Sequence, residues 1–181
     1  MSAAAQWIGP ILECGAAGAE VICREQVVLS REFRDICRGN GCGQFGRCWV
    51  CPPDVGEIES LMERVRQYPT AILYQSISAI EDSFDFEGMN AAGDAHMRLS
   101  QRIGKLVKVP LHLTCGGCHL CKVCTKPEGR PCRHPDLALP SMEGYGVDVY
   151  RTARNTSLKY INGANTVTYF GMLFFKEPEE P

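Results

Sequence analysis

Cysteine thiols, concentrated in one short segment, are the side chains of this sequence best suited to chemistry. The segment 115–135 holds five of them, and Cys118, Cys121 and Cys124 follow one another at intervals of three, with Cys132 eight residues later. Three thiolates from one tight loop and a fourth from further along the chain suit a four-iron cubane, and this interval opens bacterial ferredoxin ligation. The spacing predicts one 4Fe-4S cluster bound by these four cysteines. We term the segment the downstream cysteine loop.

A second group of thiols lies in residues 37–53, the upstream cysteine loop, and consists of Cys37, Cys42, Cys48 and Cys51. If Cys48 does not bind, a cluster on the other three keeps one iron without a protein thiolate, much as catalytic metals keep one position open. If Cys48 binds, the centre is closed and suits electron transfer or a structural role. The spacing predicts a second metal centre and leaves its fourth ligand open. Spacing alone would also let Cys115 replace Cys132 in the downstream site.

Structural zinc is the main alternative to iron and sulfur. Zinc commonly takes two Cys-x-x-Cys pairs, and Cys118 with Cys121 supplies one such pair, while Cys124 and Cys132 supply the other half. A disulfide framework is disfavoured, because 11 cysteines are an odd number and no basic leader with an apolar core follows Met1. Free thiols at this density predict a reducing compartment, and we expect the cytoplasm.

Length and composition indicate an ordinary globular protein. At 181 residues we expect a single domain, 1–181, and a formal net charge of −2 gives no reason to expect nucleic acid or a membrane surface as a partner. The longest apolar stretches, such as residues 171–175, are far too short to cross a bilayer. The sequence also has no glycine-rich loop followed by Lys and Ser or Thr, which argues against a P-loop nucleotide site.

Hydrophobic periodicity predicts interleaved strands and helices. Apolar residues at helical spacing indicate helices at about 58–68 and 89–107, and turn residues around 162–163 precede a β-rich run. We therefore expect an α/β or α+β fold with one mixed sheet, flanking helices and the two cysteine loops. The last residues, 177–181, are expected to form a frayed tail. The predicted strands cover 19–29, 71–80, 111–114 and 166–176, and a third helix is predicted at 146–158.

Two polar groups outside the cysteine loops have ordinary structural explanations. His96 lies on the apolar side of the second predicted helix, where a hydrogen-bonded core histidine is a commoner outcome than a metal ligand. The carboxylates in residues 81–87 suit a solvated turn that caps a helix better than acid–base chemistry.

Several motifs, in order along the chain, carry a resemblance to a known family. They include Arg34-Asp-Ile-Cys37, Asn40-Gly-Cys42-Gly, Cys51-Pro-Pro53, Ser141-Met-Glu143 and Asn162-Gly-Ala-Asn. From about residue 19 to 175 the chain resembles a family of predicted metal-binding proteins of unknown function, typical of anaerobic bacteria and archaea. The resemblance implies that the ligands are Cys37, Cys42 and Cys51 upstream and Cys118, Cys121, Cys124 and Cys132 downstream. It places Cys48 and Cys115 where other residues are tolerated, and Cys14 and Cys23 outside its motifs. We therefore expect Cys14 and Cys23 to be small buried side chains with inert thiols.

The function expected from these residues is electron transfer. We expect a cytoplasmic iron–sulfur protein that passes electrons through one or two 4Fe-4S clusters to a redox partner protein. An enzyme with an open iron in the upstream centre, acting in sulfur removal or Lewis-acid chemistry, is the first alternative. A structural zinc-binding protein is the second.

Overall fold

The computed structural model describes residues 4–176, which form an α+β domain around one four-stranded sheet. The strands are β1 (Gly18–Cys23), β2 (Thr70–Ala79), β3 (Leu111–Leu113) and β4 (Thr166–Phe175), in the order β1-β2-β4-β3. Every neighbouring pair is antiparallel, and the long β2–β4 pair forms the centre of the sheet. Where β2 and β4 meet, a side chain at Gly171 would collide with the Tyr74 ring, so only glycine fits there.

Within the described residues, five α-helices surround the sheet: α1 (Ile8–Glu13), α2 (Glu32–Arg38), α3 (Ile58–Arg66), α4 (Phe86–Leu106) and α5 (Val149–Ala153). Short 3-10 turns lie at Ala5–Trp7, Arg24–Gln26, Lys126–Glu128 and Glu143–Tyr145. None of the helices in residues 4–176 is long and apolar enough to cross a membrane.

Successive side chains of each strand point to opposite faces of the sheet. Both faces are buried, each by its own layer of apolar residues. On one face Leu73 and Met172 pack with the buried side of α3 and with residues 142–153. On the other face Ile72 and Leu173 pack with α4 and the N-terminal segment. The two layers hold the ends of α2 and β3 in place, and the two cysteine loops begin at those ends.

The predicted sheet is confirmed, with two corrections to its details. It is antiparallel rather than mixed, and the parallel pairing seen is a single bridge between Thr114 and Ser141. The first strand ends at Cys23 instead of residue 29, because the Gln26 side chain accepts a hydrogen bond from the Cys23 N–H and the chain turns. The predicted helix 146–158 is only the short α5, which Asp148 caps. The expected tail, 177–181, lies outside the described residues.

The two structural explanations for polar groups are also confirmed. His96 is 1% exposed, and its Nδ1 lies 2.8 Å from Ser76 Oγ. Asp85 caps α4 by accepting a hydrogen bond from the Gly88 N–H at 2.8 Å. These residues therefore contribute to the fold.

Candidate metal centres

The upstream cysteine loop leaves α2 and turns back on itself several times. Asn40, Gly43 and Gly46 have φ angles of 53°, 71° and 68°, a left-handed conformation that glycine and asparagine tolerate best. The side chain of Asn40 also accepts a hydrogen bond from the Phe45 N–H at 3.0 Å. These turns let Cys42, Cys48 and Cys51 come from one short loop.

The downstream cysteine loop leaves β3 and closes through its own polar contacts. Thr125 is buried, and its hydroxyl donates to the Pro131 carbonyl at 2.8 Å. Arg133 donates to the Val123 carbonyl at 3.0 Å. These two hydrogen bonds fold the chain back after residue 124. As a result, Cys132 lies beside Cys118, Cys121 and Cys124.

The two loops pack directly against each other through Trp49. Its indole N–H donates to the Arg130 carbonyl at 3.0 Å, and the Lys126 ammonium lies 4.4 Å from the ring centre. Lys126 also pairs with Asp54 at 2.5 Å. The upstream thiols and the four downstream thiols therefore lie in one region of the molecule, although they are 67 to 95 residues apart in sequence.

The downstream thiols line one small cavity. Its walls contain all four cysteines predicted as downstream ligands, together with Cys48 from the other loop. Leu120 and Val50 add apolar surface. The cavity is lined by Cys48, Trp49, Val50, Cys118, Leu120, Cys121, Cys124, Thr125, Cys132, Arg133 and Ala138.

Cys48 lies between the two groups of thiols and is only 1% exposed. Hydrogen bonds from the thiols of Cys118 and then Cys51 lower the pKa of Cys48. The same contacts raise the pKa of Cys51 and Cys118, with burial acting in the same direction. One residue of the upstream loop thus contacts a predicted ligand of each centre.

The upstream thiols line a second and larger cavity of about 460 Å³. Cys37, Cys42 and Cys51 all contribute to its wall, whereas Cys48 does not. Burial raises the pKa of Cys37, and the neighbouring Cys42 acts in the same direction. The other lining residues are Ile36, Gly39, Gly41, Gln44, Phe45, Pro52, Gly116, Gly117, Ser141 and Glu143.

Glu143 is a residue of this upstream cavity for which sequence reasoning proposed no role. Its carboxyl accepts hydrogen bonds from the Gly116 N–H and the Ser141 hydroxyl, yet burial dominates and raises its pKa. Its Oε2 is buried without a hydrogen-bond partner. In the sequence, this residue stood out only as part of the Ser141-Met-Glu143 motif, which by itself indicated no chemical role. The fold places it beside the thiols.

The remaining thiols line neither cavity. Cys115 is half-buried at the end of β3, where desolvation, followed by the Glu143 carboxyl, raises its pKa. Cys14 is half-buried and packs on the core beside α4. Cys23 is exposed, contrary to the buried position expected for it. All eleven cysteines are free thiols, in agreement with the expectation against disulfides.

Three arginines lie near the thiols, of which one is buried and two are exposed. Arg34 is 6% exposed, lies close enough to Cys37 to oppose the rise of its pKa, and has a buried Nε without a hydrogen-bond partner. Arg130 and Arg133 are exposed, and Arg130 pairs with Glu128. A buried guanidinium beside thiolates offsets part of the negative charge that a thiolate-bound metal centre carries.

Histidine contributes little to the arrangement. His119 is exposed and lies 2.8 Å from Asp94 on α4, and His134 is exposed as well. Across residues 4–176, no three His, Cys, Asp or Glu side chains are arranged to hold a single metal ion. The thiols surround cavities instead, and in a cubane each thiolate binds its own iron.

A comparison with known families agrees with the chemistry of these loops. The family model described as "Predicted metal-binding protein (DUF2284)" matches residues 20–175, which include both cavities and ten of the eleven cysteines. No curated protein and no solved structure gave a match. With most of its length matched, this chain belongs to the DUF2284 family of predicted metal-binding proteins.

Proposed function

We propose that this protein is a cytoplasmic iron–sulfur protein that passes single electrons. The observation that supports this most is the shared cavity of Cys118, Cys121, Cys124 and Cys132. These thiols would hold a 4Fe-4S cluster, which supplies reversible one-electron chemistry when it is bound. The free thiols throughout the described chain fit a reducing compartment.

A second cluster would be held by Cys37, Cys42 and Cys51, whose side chains line the neighbouring cavity. Cys48 connects the two sets, since it contacts both Cys118 and Cys51. Two clusters separated by one buried side chain would form a short path for an electron. This arrangement favours a relay over a single structural centre.

An enzyme with an open iron is the second candidate, and the upstream cavity favours it. Cys48 lies in the wall of the downstream cavity and not in that of the upstream one. The upstream centre would then have three thiolates and one position facing a cavity of about 460 Å³. The electron relay remains the first proposal, because an open iron is compatible with it and adds a site where the electrons are used.

The redox partner would dock beside the downstream cysteine loop, on a face that we term the basic face. Two adjoining surface grooves there share Asp94 and His119, and their linings contain five Lys or Arg residues against one carboxylate. Such a face attracts an acidic protein and steers its approach. The positive residues are Arg47, Arg98, Arg102, Lys105 and Lys122.

Anaerobic purification followed by iron, acid-labile sulfide and zinc analysis tests the central proposal. We expect about eight irons and eight sulfides per chain for two cubanes. Electron paramagnetic resonance after dithionite reduction should show two interacting cluster signals. Stoichiometric zinc without sulfide would contradict the proposal and support the structural zinc alternative.

Matched cysteine variants test the ligand assignment. Cys121→Ser should remove one cluster, whereas Cys23→Ser, at an exposed thiol outside both cavities, should keep both. Cys132→Ala should likewise lose the downstream cluster while Cys115→Ala retains it. Retention in Cys132→Ala together with loss in Cys115→Ala would reverse the assignment of the fourth ligand.

A further inference from the structure

The upstream cavity has the size and lining of a small-molecule site. Its volume of about 460 Å³ lies within the range typical of ligand pockets. Ile36, Phe45 and Pro52 give it apolar walls, and four glycines bring bare backbone to its surface.

The charges around this cavity exclude anionic ligands. Its lining residues, all within the described part of the chain, include three thiols and one carboxyl but no Lys or Arg. Arg34, whose charge acts on Cys37, is buried and is not part of the wall. An anionic head would therefore be desolvated beside groups of the same sign, at a high free-energy cost.

One polar group in the cavity is left to be satisfied. Glu143 lines the wall, and its carboxyl is fixed by the Gly116 N–H and the Ser141 hydroxyl. Its Oε2 is buried without a partner, and an unpaired buried oxygen is costly unless a ligand or water pairs with it. A neutral hydroxyl or thiol can pair with a carboxyl in either protonation state, because it both donates and accepts.

We propose that the cavity beside Cys37, Cys42 and Cys51 binds a small, mainly apolar alcohol or thiol whose head pairs with the carboxyl of Glu143. The walls formed by Ile36, Phe45 and Pro52 contact its hydrocarbon part. Ser141 acts as a positioning residue, since its hydroxyl fixes the carboxyl. This proposal rests on the proposed function in one respect only: a thiol head would contact the upstream metal centre in addition to Glu143.

Isothermal titration calorimetry on anaerobically purified, metal-loaded protein tests this site with three probes of equal chain length. Propan-1-ol reports pairing with Glu143, propane-1-thiol reports the same pairing plus contact with a metal, and propionate reports tolerance of an anion. We expect saturable binding of the alcohol and the thiol. Propionate should bind at least about tenfold more weakly. Propionate binding as tightly as the alcohol would overturn the proposal.

Two variants with matched controls assign the binding to this cavity. Glu143→Leu removes the pairing oxygen and should weaken both neutral probes by about 10- to 100-fold, as expected for one buried hydrogen bond to a carboxyl. Its control is Glu57→Gln, an exposed carboxyl on the surface. Phe45→Trp fills the cavity and should also weaken both probes, whereas Phe84→Trp, at a residue 79% exposed, should leave them unchanged.

The outcomes separate this proposal from the proposed function. Suppose that the protein contains iron and sulfide, but that no probe binds, or that the probes bind equally to the wild type and to Phe45→Trp. That result overturns the cavity proposal and leaves the iron–sulfur proposal standing. Propan-1-ol binding that depends on Phe45 and Glu143 in protein without iron supports the cavity and overturns the cluster. If Glu143→Leu does not fold, Phe45→Trp alone decides.

Discussion

Among the individual residues, Cys48 has the most unusual surroundings. It is buried in the wall of the downstream cavity, and its sulfur contacts Cys118 and Cys51, one predicted ligand of each centre. If those two residues bind clusters as thiolates, the Cys48 thiol is placed to donate its single hydrogen to one of them. Hydrogen bonds to cluster sulfurs raise the reduction potential, because they stabilise the more negative reduced state.

Replacing Cys48 with alanine is therefore expected to lower the reduction potential of the cluster whose ligand accepts this hydrogen bond, without removing either cluster. Iron and sulfide content should stay at the wild-type level, and potentiometric titration followed by electron paramagnetic resonance would measure the shift. Cys14→Ala, at a half-buried thiol outside both cavities, is the matched control and should leave the potentials unchanged. Loss of about four irons from Cys48→Ala would show instead that Cys48 is itself a ligand.

At the scale of elements, the two cysteine loops depend on each other through Trp49. Its indole bonds to Arg130 and lies under the Lys126 ammonium, so the upstream loop is fastened to the downstream one. Trp49→Leu should remove about 1–3 kcal/mol of contact between the loops. We expect this variant to lose iron to a chelator several-fold faster than wild type. Trp7→Leu changes a tryptophan packed on the core beside α1 and should release iron at the wild-type rate; equal acceleration in both variants would contradict a specific role for the loop contact.

A buried polar network joins β2, α4 and β3 beneath the metal region. Tyr74 Oη lies 2.8 Å from Ser100 Oγ and 2.7 Å from His112 Nε2, and His96 bonds to Ser76 nearby. Burial lowers the pKa of His96 to about 4 and that of His112 to about 3. An unfolded histidine titrates near 6.5, so below that pH the unfolded chain binds more protons than the folded one. Both histidines therefore stabilise the fold at neutral pH, and this stability is lost as the pH falls from about 6.5 toward 3.

This linkage predicts a pH-dependent stability that follows His96. Between pH 6.5 and 5, each buried histidine should cost about 2 kcal/mol of unfolding free energy. His96→Gln should reduce the loss seen in urea unfolding at pH 7.5 and 5 by about that amount. The exposed His134→Gln should keep the wild-type dependence, and comparison of the variants at each pH cancels what the metal centres contribute. An unchanged pH dependence in His96→Gln would contradict the buried neutral histidine.

The elements also show how far the sequence alone predicts the fold. The helical spacing of Leu61, Met62 and Val65 predicted α3, and these residues do form its buried face. The sequence could not predict whether neighbouring strands are parallel or antiparallel, because a strand such as β2 can be buried on both faces in either arrangement. The end of β1 was missed since one side chain, Gln26, decides it through a hydrogen bond to the backbone.

For the candidate site, local spacing predicted the downstream thiols, which the fold brings to one cavity. It could not predict contacts between distant segments. Cys48 was expected either to close the upstream centre or to point away, and it contacts Cys118 from the other loop. Glu143 was equally hidden, because its relation to Cys37 depends on how α2 packs against the turn Glu143–Tyr145.

For the molecule as a whole, charge is distributed unevenly. The chain has a formal net charge of −2, yet the basic face beside the downstream cysteine loop has five Lys or Arg residues and one carboxylate. Arg98 and Lys105 lie one above the other on the exposed side of α4, and Lys122 extends the same face into the loop. An acidic redox protein would thus be attracted to this face, next to the downstream cysteine loop.

Salt dependence tests this orientation. With an acidic flavodoxin as electron donor, stopped-flow reduction of the protein should slow at least about tenfold between about 20 mM and 300 mM NaCl, because salt screens the attraction. The double variant Arg98→Glu, Lys105→Glu should show a low rate already at low salt and a much weaker salt dependence. The control is the double variant Arg151→Glu, Arg154→Glu, an equal charge reversal at two exposed positions on and directly after α5, and it should behave as wild type toward the flavodoxin. Dithionite, a small reductant, should reduce all three proteins to the same extent, so a slow rate with flavodoxin reports docking and not damage to the cluster. Equal rates in the two double variants would mean that the flavodoxin docks elsewhere.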